Sequence, residues 1–107
     1  MTPTGVAIRL TLRGPLTTPT SAETCRAIRE ALDATENLIL DCFEATDIDV
    51  SFLQILAAAH RAAERSGKTI ALSSPPRGAF ADALRRCGFS VAEGATSLAG
   101  IFSSRTS

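Results

Sequence analysis

The chain has 107 residues, 45% of them apolar, and 11 basic residues balance 11 acidic ones. This length fits one domain, and the apolar fraction fills one core without a disulfide or a metal staple. No apolar stretch approaches the ~20 residues that cross a bilayer, and the first residues do not resemble a signal peptide. We therefore expect a cytoplasmic protein without direct membrane insertion. The absence of Trp, Tyr and a basic cluster argues against nucleic acid as a partner.

Charge is distributed unevenly along the chain. Residues 1–50 hold four arginines against eight acids, a net charge of −4, and residues 51–107 hold seven basic residues against three acids, a net charge of +4. Such an asymmetry can orient a protein partner electrostatically.

The three cysteines, Cys25, Cys42 and Cys87, are far apart and form no CxxC pair. Their odd number and spacing support neither a disulfide framework nor a zinc site. We expect each of them to be a small, buried, apolar residue.

The first predicted elements are a strand and a helix. Residues 6–12 alternate between apolar and polar types, which predicts a half-buried strand that Gly14-Pro15 ends. Residues 20–23, TSAE, match the S/T-x-x-E capping box that begins a helix. The apolar stripe of this helix is predicted to contain Ala22, Cys25, Ile28 and Leu32.

A second strand and helix follow. Residues 38–40 are continuously apolar, which is typical of a strand covered on both faces inside a parallel sheet, so helices are expected on each side. The next helix is predicted from about Val50 to Ser66-Gly67, with Gly67 at the left-handed C′ position. Its expected buried residues are Phe52, Leu53, Leu56, Ala59 and Ala63.

The rest of the chain continues the alternation. A strand is predicted at residues 69–72, a third helix ends at Gly88, and its inward residues are Phe80, Ala83, Leu84 and Cys87. Residues 89–92 are predicted as a short strand, residues 95–102 as a short helix and residues 103–107 as a frayed tail. The fold class is therefore α/β: one domain over residues 1–107, with a four- to five-stranded mixed sheet and about four helices.

Polar residues are concentrated where the second strand leads into the second helix. Asp47, Asp49 and Ser51 reach the helix start, where backbone N–H groups lack intrahelical partners and the macrodipole favours negative charge. Ligands and partners of open α/β sheets meet them at the carboxyl ends of strands. We expect function in residues 41–53.

Four pieces of the sequence, LRGPL, LILDCFEATDID, SGKTIAL and ALRRCGF, resemble in order and spacing the STAS domain. This is the family of bacterial anti-sigma factor antagonists and of the cytoplasmic tails of sulfate transporters. The resemblance implies a single STAS-like domain and a non-enzymatic bacterial signalling protein. Its implied partner is a serine kinase/anti-sigma factor or a chemotaxis or two-component module, and a homodimer is left open.

In signalling members of that family, the loop reads Asp-Ser-Ser/Thr-Gly-Leu, and the hydroxyl directly after the Asp is phosphorylated. Here residues 49–53 read D-V-S-F-L, so Val50 occupies the acceptor position. Ser51 is either a displaced phosphorylation site or a capping residue. Asp49 is either an N-cap or a contact with a partner. Phe52 is either a core residue or an exposed apolar knob at an interface. If Phe52 is buried, Val50 becomes the better knob. The candidate partner-binding residues are Asp47, Asp49, Val50, Ser51, Phe52 and Gln54.

Two alternative functions remain at this level. One is the STAS regulatory subunit of a lipid-transport ABC transporter, which needs no phosphorylation. The other is a phosphotransfer or nucleotide-binding protein, in which an acidic group would hold Mg²⁺. Against the second, the chain has no Walker A, GxGxxG or GxSxG motif, and His60 lies in a polar setting that predicts exposure. We expect no catalytic residue, cofactor or metal. The acidic group comprises Asp41, Glu44, Asp47 and Asp49.

Overall fold

The computed structural model describes residues 7–89, 96–98 and 101. Within these residues, two strands and a helix are followed by two further strands, a long helix, a strand and a shorter helix. The elements are β1 (Ile8–Thr11), β2 (Gly14–Leu16), a 3₁₀ helix (Thr18–Thr20), α1 (Ser21–Ala34), β3 (Asn37–Asp41), β4 (Ala45–Ile48), α2 (Val50–Arg65), β5 (Thr69–Leu72) and α3 (Ala79–Arg86).

The strands form two parallel sheets. The first has the order β1-β3-β5, and the second pairs β2 with β4. This confirms the α/β class, although the described residues contain three α-helices where about four were expected. Within the described residues, the antiparallel component of the expected mixed sheet is one bridge between Ala71 and Ser97. Residues 90–92 of the predicted strand at 89–92, half of the predicted helix at 95–102 and all of the predicted tail lie outside the described residues.

The small second sheet corrects two sequence predictions. Gly14-Pro15 does not simply end a strand, because Gly14–Leu16 forms β2 and pairs with Ala45–Ile48, which was expected to be loop. Gly14 has a φ of 70°, a left-handed conformation that glycine adopts without steric cost. The pairing carries Leu16 and Ile48 into the core.

Among the described residues, the two faces of the central strand β3 are covered unequally. Leu38 and Leu40 on one face are buried, whereas Ile39 on the other face is half-buried. In this part of the chain, the expected cover on both faces is therefore complete for one face only. The helices α1 and α2 contact each other, as two consecutive right-handed crossovers on one face of a parallel sheet require.

The start of α1 also differs from the prediction. Thr20 makes no side-chain cap for α1, and the capping box instead closes the preceding 3₁₀ helix between Thr17 and Thr20. There the Thr17 N–H donates to Thr20 Oγ1 over 3.1 Å. Along α1, Ile28 and Leu32 are buried as predicted, but Ala22 is exposed.

Candidate functional site

Asp49 joins the start of α2 to the 3₁₀ helix. Its Oδ1 accepts hydrogen bonds from the Ser51 N–H (2.9 Å) and the Ser51 hydroxyl (2.6 Å). Its Oδ2 accepts from the Thr18 N–H (3.1 Å) and the Thr18 hydroxyl (3.4 Å). These bonds, above all the one from the Ser51 hydroxyl, lower the pKa of Asp49 below its ordinary value. The N-cap interpretation of Asp49 is confirmed.

Two neighbours at the start of α2 have opposite environments. Val50 is 51% exposed, whereas Phe52 is 1% exposed and packs edge-on against Phe80, with ring centroids 5.9 Å apart. Phe52 is therefore a core residue, the first of its two interpretations, and cannot touch a partner directly. Val50 is left as the apolar residue that α2 presents at its first turn.

The other candidate residues are divided between surface and scaffold. Asp47 on β4 and Gln54 on α2 are exposed. Ser51 is half-buried and its hydroxyl donates to the Asp49 carboxylate, so Ser51 supports the Asp49 N-cap and is not itself the capping residue. Its phosphorylation stays a prediction.

The sequence analysis missed one exposed aromatic residue within residues 41–53. Phe43 is 71% exposed in the turn between β3 and β4, and the Arg77 guanidinium carbon lies 5.7 Å from its ring centroid. This spacing is that of a cation–π contact. The available signal was an aromatic residue directly before the polar Glu44 in the acidic turn, at a position that no core stripe accounts for.

The acidic residues between positions 41 and 53 do not form a metal site in the described part of the chain. Asp41 lies 3.5 Å from Arg9, and Glu44 lies 3.2 Å from Arg13, so each carboxylate has its own cationic neighbour. Asp49 is engaged as the N-cap. No three His, Cys, Asp or Glu residues among those described come together as a group that could hold a metal ion.

His60 is buried, which contradicts the expected exposure. It is 6% exposed, and its Nε2 has no hydrogen-bond partner among the described residues. Glu64 Oε2 lies 3.7 Å from this nitrogen. His60 belongs to the buried face of α2 and is far along the helix from Ser51, so it does not form a nucleophile–base pair with that hydroxyl.

The cysteines also differ from the expectation of full burial. Cys25 and Cys42 are half-buried, and Cys87 is exposed at the end of α3. Burial, and secondarily the charge of Asp41, raises the pKa of the Cys42 thiol to about 12. Cys42 is therefore protonated at neutral pH and is a poor nucleophile.

Two concave regions lie near the segment. A cavity of about 320 Å³ opens at the carboxyl ends of β3 and β5 and includes Cys42, Phe43 and Arg77 in its wall. A groove of about 470 Å³ runs between α1 and α2 and includes Ser51 and Gln54. The segment at the start of α2 thus lies between two surfaces that could accept another molecule.

A family model described as Mlab, STAS domain, matches residues 2–98. The chain belongs to the STAS domain family. This agrees with the resemblance of the sequence and with the α/β fold. Comparisons with curated proteins and with solved structures gave no match.

Membership gives this STAS domain a general regulatory or binding role, because STAS domains generally mediate protein–protein interactions and are generally non-enzymatic. None of the helices in residues 7–89, 96–98 and 101 is both long and apolar enough to cross a membrane.

Proposed function

We propose that this STAS domain is a non-enzymatic bacterial signalling protein that binds a serine kinase/anti-sigma factor, or a chemotaxis or two-component module. The contact is made by the α2 entry surface, which consists of the exposed residues Asp47, Val50 and Gln54. Asp49 and Ser51 hold this surface in place, and Phe52 anchors it to the core.

The exposure of Val50 is the observation that carries the proposal. An aliphatic side chain half exposed at the first turn of a helix gains about 1 kcal/mol when a partner covers it, since fully burying a valine contributes about 1.5–3 kcal/mol. Polar Asp47 and Gln54 flank it, an arrangement typical of an interface with an apolar centre and a polar rim.

Regulation in this proposal comes from partner availability. Val50 has no hydroxyl, and phosphorylation of Ser51 would replace the 2.6 Å hydrogen bond to Asp49 with two anions side by side. Like-charge repulsion opposes that product, although the N-terminus of α2 favours an anion. We therefore propose support of the Asp49 N-cap as the first role of Ser51 and phosphoregulation as the second.

The sharpest test is Val50→Asp. Aspartate in a first helical turn agrees with the macrodipole, so we expect the circular-dichroism spectrum and the urea midpoint to be retained. Capture of the partner from native lysate should fall at least tenfold. Asp49→Lys would be a poor test, because it removes the N-cap as well as changing the surface.

The matched control is Ala34→Asp. Ala34 is exposed at the far end of α1, so the same added charge should leave capture unchanged. Equal capture by Val50→Asp and the unmutated protein would overturn the proposed surface.

A second candidate is the STAS regulatory subunit of a lipid-transport ABC transporter. It is favoured by the same Val50, because an apolar residue at the acceptor position suits constitutive docking without phosphorylation. Mass spectrometry of the Val50-dependent partner distinguishes the two candidates: a serine kinase or signalling module supports the first, and an ABC ATPase or permease supports the second. The phosphotransfer or nucleotide-binding alternative predicts incorporation or turnover of labelled ATP.

A further inference from the structure

The groove between α1 and α2 has the length of a short helix. Its lining on α2 extends from Ser51 to Ala62, a rise of about 16 Å, or three helical turns. The volume of about 470 Å³ is open along this length. Its apolar lining includes Cys25, Ile28, Ile55, Ala58, Ala59 and Ala62.

The walls of the groove favour a helical occupant over an extended one. Both walls are helices, whose backbone N–H and C=O groups are already paired internally, so an extended peptide would find no backbone partners there. A helix satisfies its own backbone. The alanines Ala58 and Ala62 on one wall have short side chains, which permit a second helix to approach closely.

Basic residues follow both sides of the groove. Arg29 lines it, and Arg26 lies one turn earlier on the same face of α1. On α2, Arg61 and Arg65 follow Ala58 and Ala62 at i,i+3 spacing. None of these four arginines forms an ion pair within the described ranges.

Acidic residues balance these arginines only in part. On α1, Asp33 follows Arg29 by four residues, and Glu30 follows Arg26 by four residues on the side turned away from the groove. On α2, Glu64 lies on the His60 side, so Arg61 and Arg65 keep an unbalanced charge beside the groove. A second copy of this chain would bring its own arginines against these arginines, and repulsion between like charges would oppose that pairing. Charge complementarity therefore favours an acidic occupant.

We propose that the α1–α2 groove binds an amphipathic helix of a partner protein, whose apolar stripe fills the groove and whose flanks carry Glu or Asp. This site adjoins the α2 entry surface at Gln54, which lines the groove, whereas Asp47 and Val50 do not line it. The proposal therefore does not depend on that surface.

The thiol of Cys25 provides a reporter inside the groove. Cys25 lines it and is half-buried, whereas Cys87 is exposed at the end of α3 and serves as an internal reference. The probe is a stapled amphipathic helix of about 14 residues, with leucines at i, i+3, i+4 and i+7 and glutamates on both flanks. A matched peptide carries lysine in place of each glutamate. The full chain is alkylated with N-ethylmaleimide and then digested, and mass spectrometry of the peptides that contain Cys25 and Cys87 gives the rate at each thiol.

We expect the acidic peptide to slow alkylation of Cys25 at least fivefold and to leave Cys87 unchanged, while the lysine peptide gives no protection. Arg29→Glu should weaken protection by about tenfold, since an attraction becomes a repulsion. Arg86→Glu, the same charge change on α3, and Val50→Asp should not weaken it.

Several outcomes would overturn the proposal. These are an unchanged Cys25 rate with the acidic peptide, equal protection by both peptides, protection by oleate alone, and protection that grows with protein concentration as a dimer forms. Val50 belongs only to the α2 entry surface and Arg29 only to the groove, so a failure here is distinguishable from a failure of the α2 entry surface.

Discussion

At the level of single residues, Asp49 shows how one side chain connects distant parts of the chain. Its Oδ1 accepts from Ser51 within α2, and its Oδ2 accepts from Thr18, 31 residues earlier. These hydrogen bonds favour the charged carboxylate and lower its pKa. The sequence predicted the N-cap because Asp directly precedes an apolar-faced helix, but the Thr18 contact depends on tertiary structure and has no local signal.

The lowered pKa of Asp49 predicts a pH dependence. Its carboxylate stabilises the fold fully above the unfolded pKa, ordinarily 3.8, and this contribution is lost as the pH falls through the lower folded pKa. We expect Asp49→Asn to lower the urea midpoint at pH 7, and the gap from the unmutated protein to narrow in acid. Urea unfolding followed by circular dichroism at a series of pH values measures the difference in midpoint. Asp47→Asn, at an exposed position, should show no such gap, and a pH-independent gap for Asp49→Asn would contradict the argument.

At the level of elements, α2 is the part of the fold that local signals predicted best. Its N-cap, its buried Phe52 and Leu56, and its end at Gly67 with a φ of 73° are all confirmed. His60 was wrongly expected to be exposed because its neighbours are charged. His60 lies four residues after Leu56 and three before Ala63, which places it on the buried stripe of α2. The helical spacing of the apolar residues therefore predicted its burial better than the charge of its neighbours did.

The burial of His60 leads to a prediction about α2. A buried nitrogen without a hydrogen bond costs free energy, so an apolar residue of similar size should relieve that cost. We expect His60→Leu to raise the free energy of unfolding by about 1 kcal/mol, measured by urea denaturation. Arg61→Leu, next to it and exposed, should change it by less than about 0.5 kcal/mol. A clear loss of stability in His60→Leu would mean that the imidazole makes a necessary polar contact.

Other elements could not be predicted locally. β2 and β4 are three and four residues long and pair across about 30 positions of the chain. Thr46 and Asp47 in β4 are exposed and polar, so neither alternation nor an apolar run marks the strand. The α1–α2 groove likewise depends on how two helices lie together. The sequence identified the start of α2 as a candidate site, while Phe43 and the groove required the three-dimensional arrangement.

At the level of the whole molecule, one core connects both sheets and all three described α-helices. Leu16 and Ile48 from the small sheet belong to the same buried cluster as Leu38 and Leu40 from the large one. Phe52 of α2 meets Phe80 of α3 within this cluster. Because no separate core exists for either sheet in the described part of the chain, we expect the two sheets to unfold together.

This shared core predicts how two phenylalanines differ. Phe52→Ala removes a side chain that is 1% exposed and should lower the free energy of unfolding by about 3–5 kcal/mol, through lost burial and the cavity left behind. Phe43→Ala makes the same chemical change at a position that is 71% exposed and should cost less than about 1 kcal/mol, mostly its contact with Arg77. Urea unfolding followed by far-ultraviolet circular dichroism measures both.

Alkylation of half-buried Cys42 should report the same midpoint as the spectrum, because loss of the core exposes β3 and the helices together. Two separated transitions, or equal losses from the two substitutions, would show that the sheets do not depend on one core.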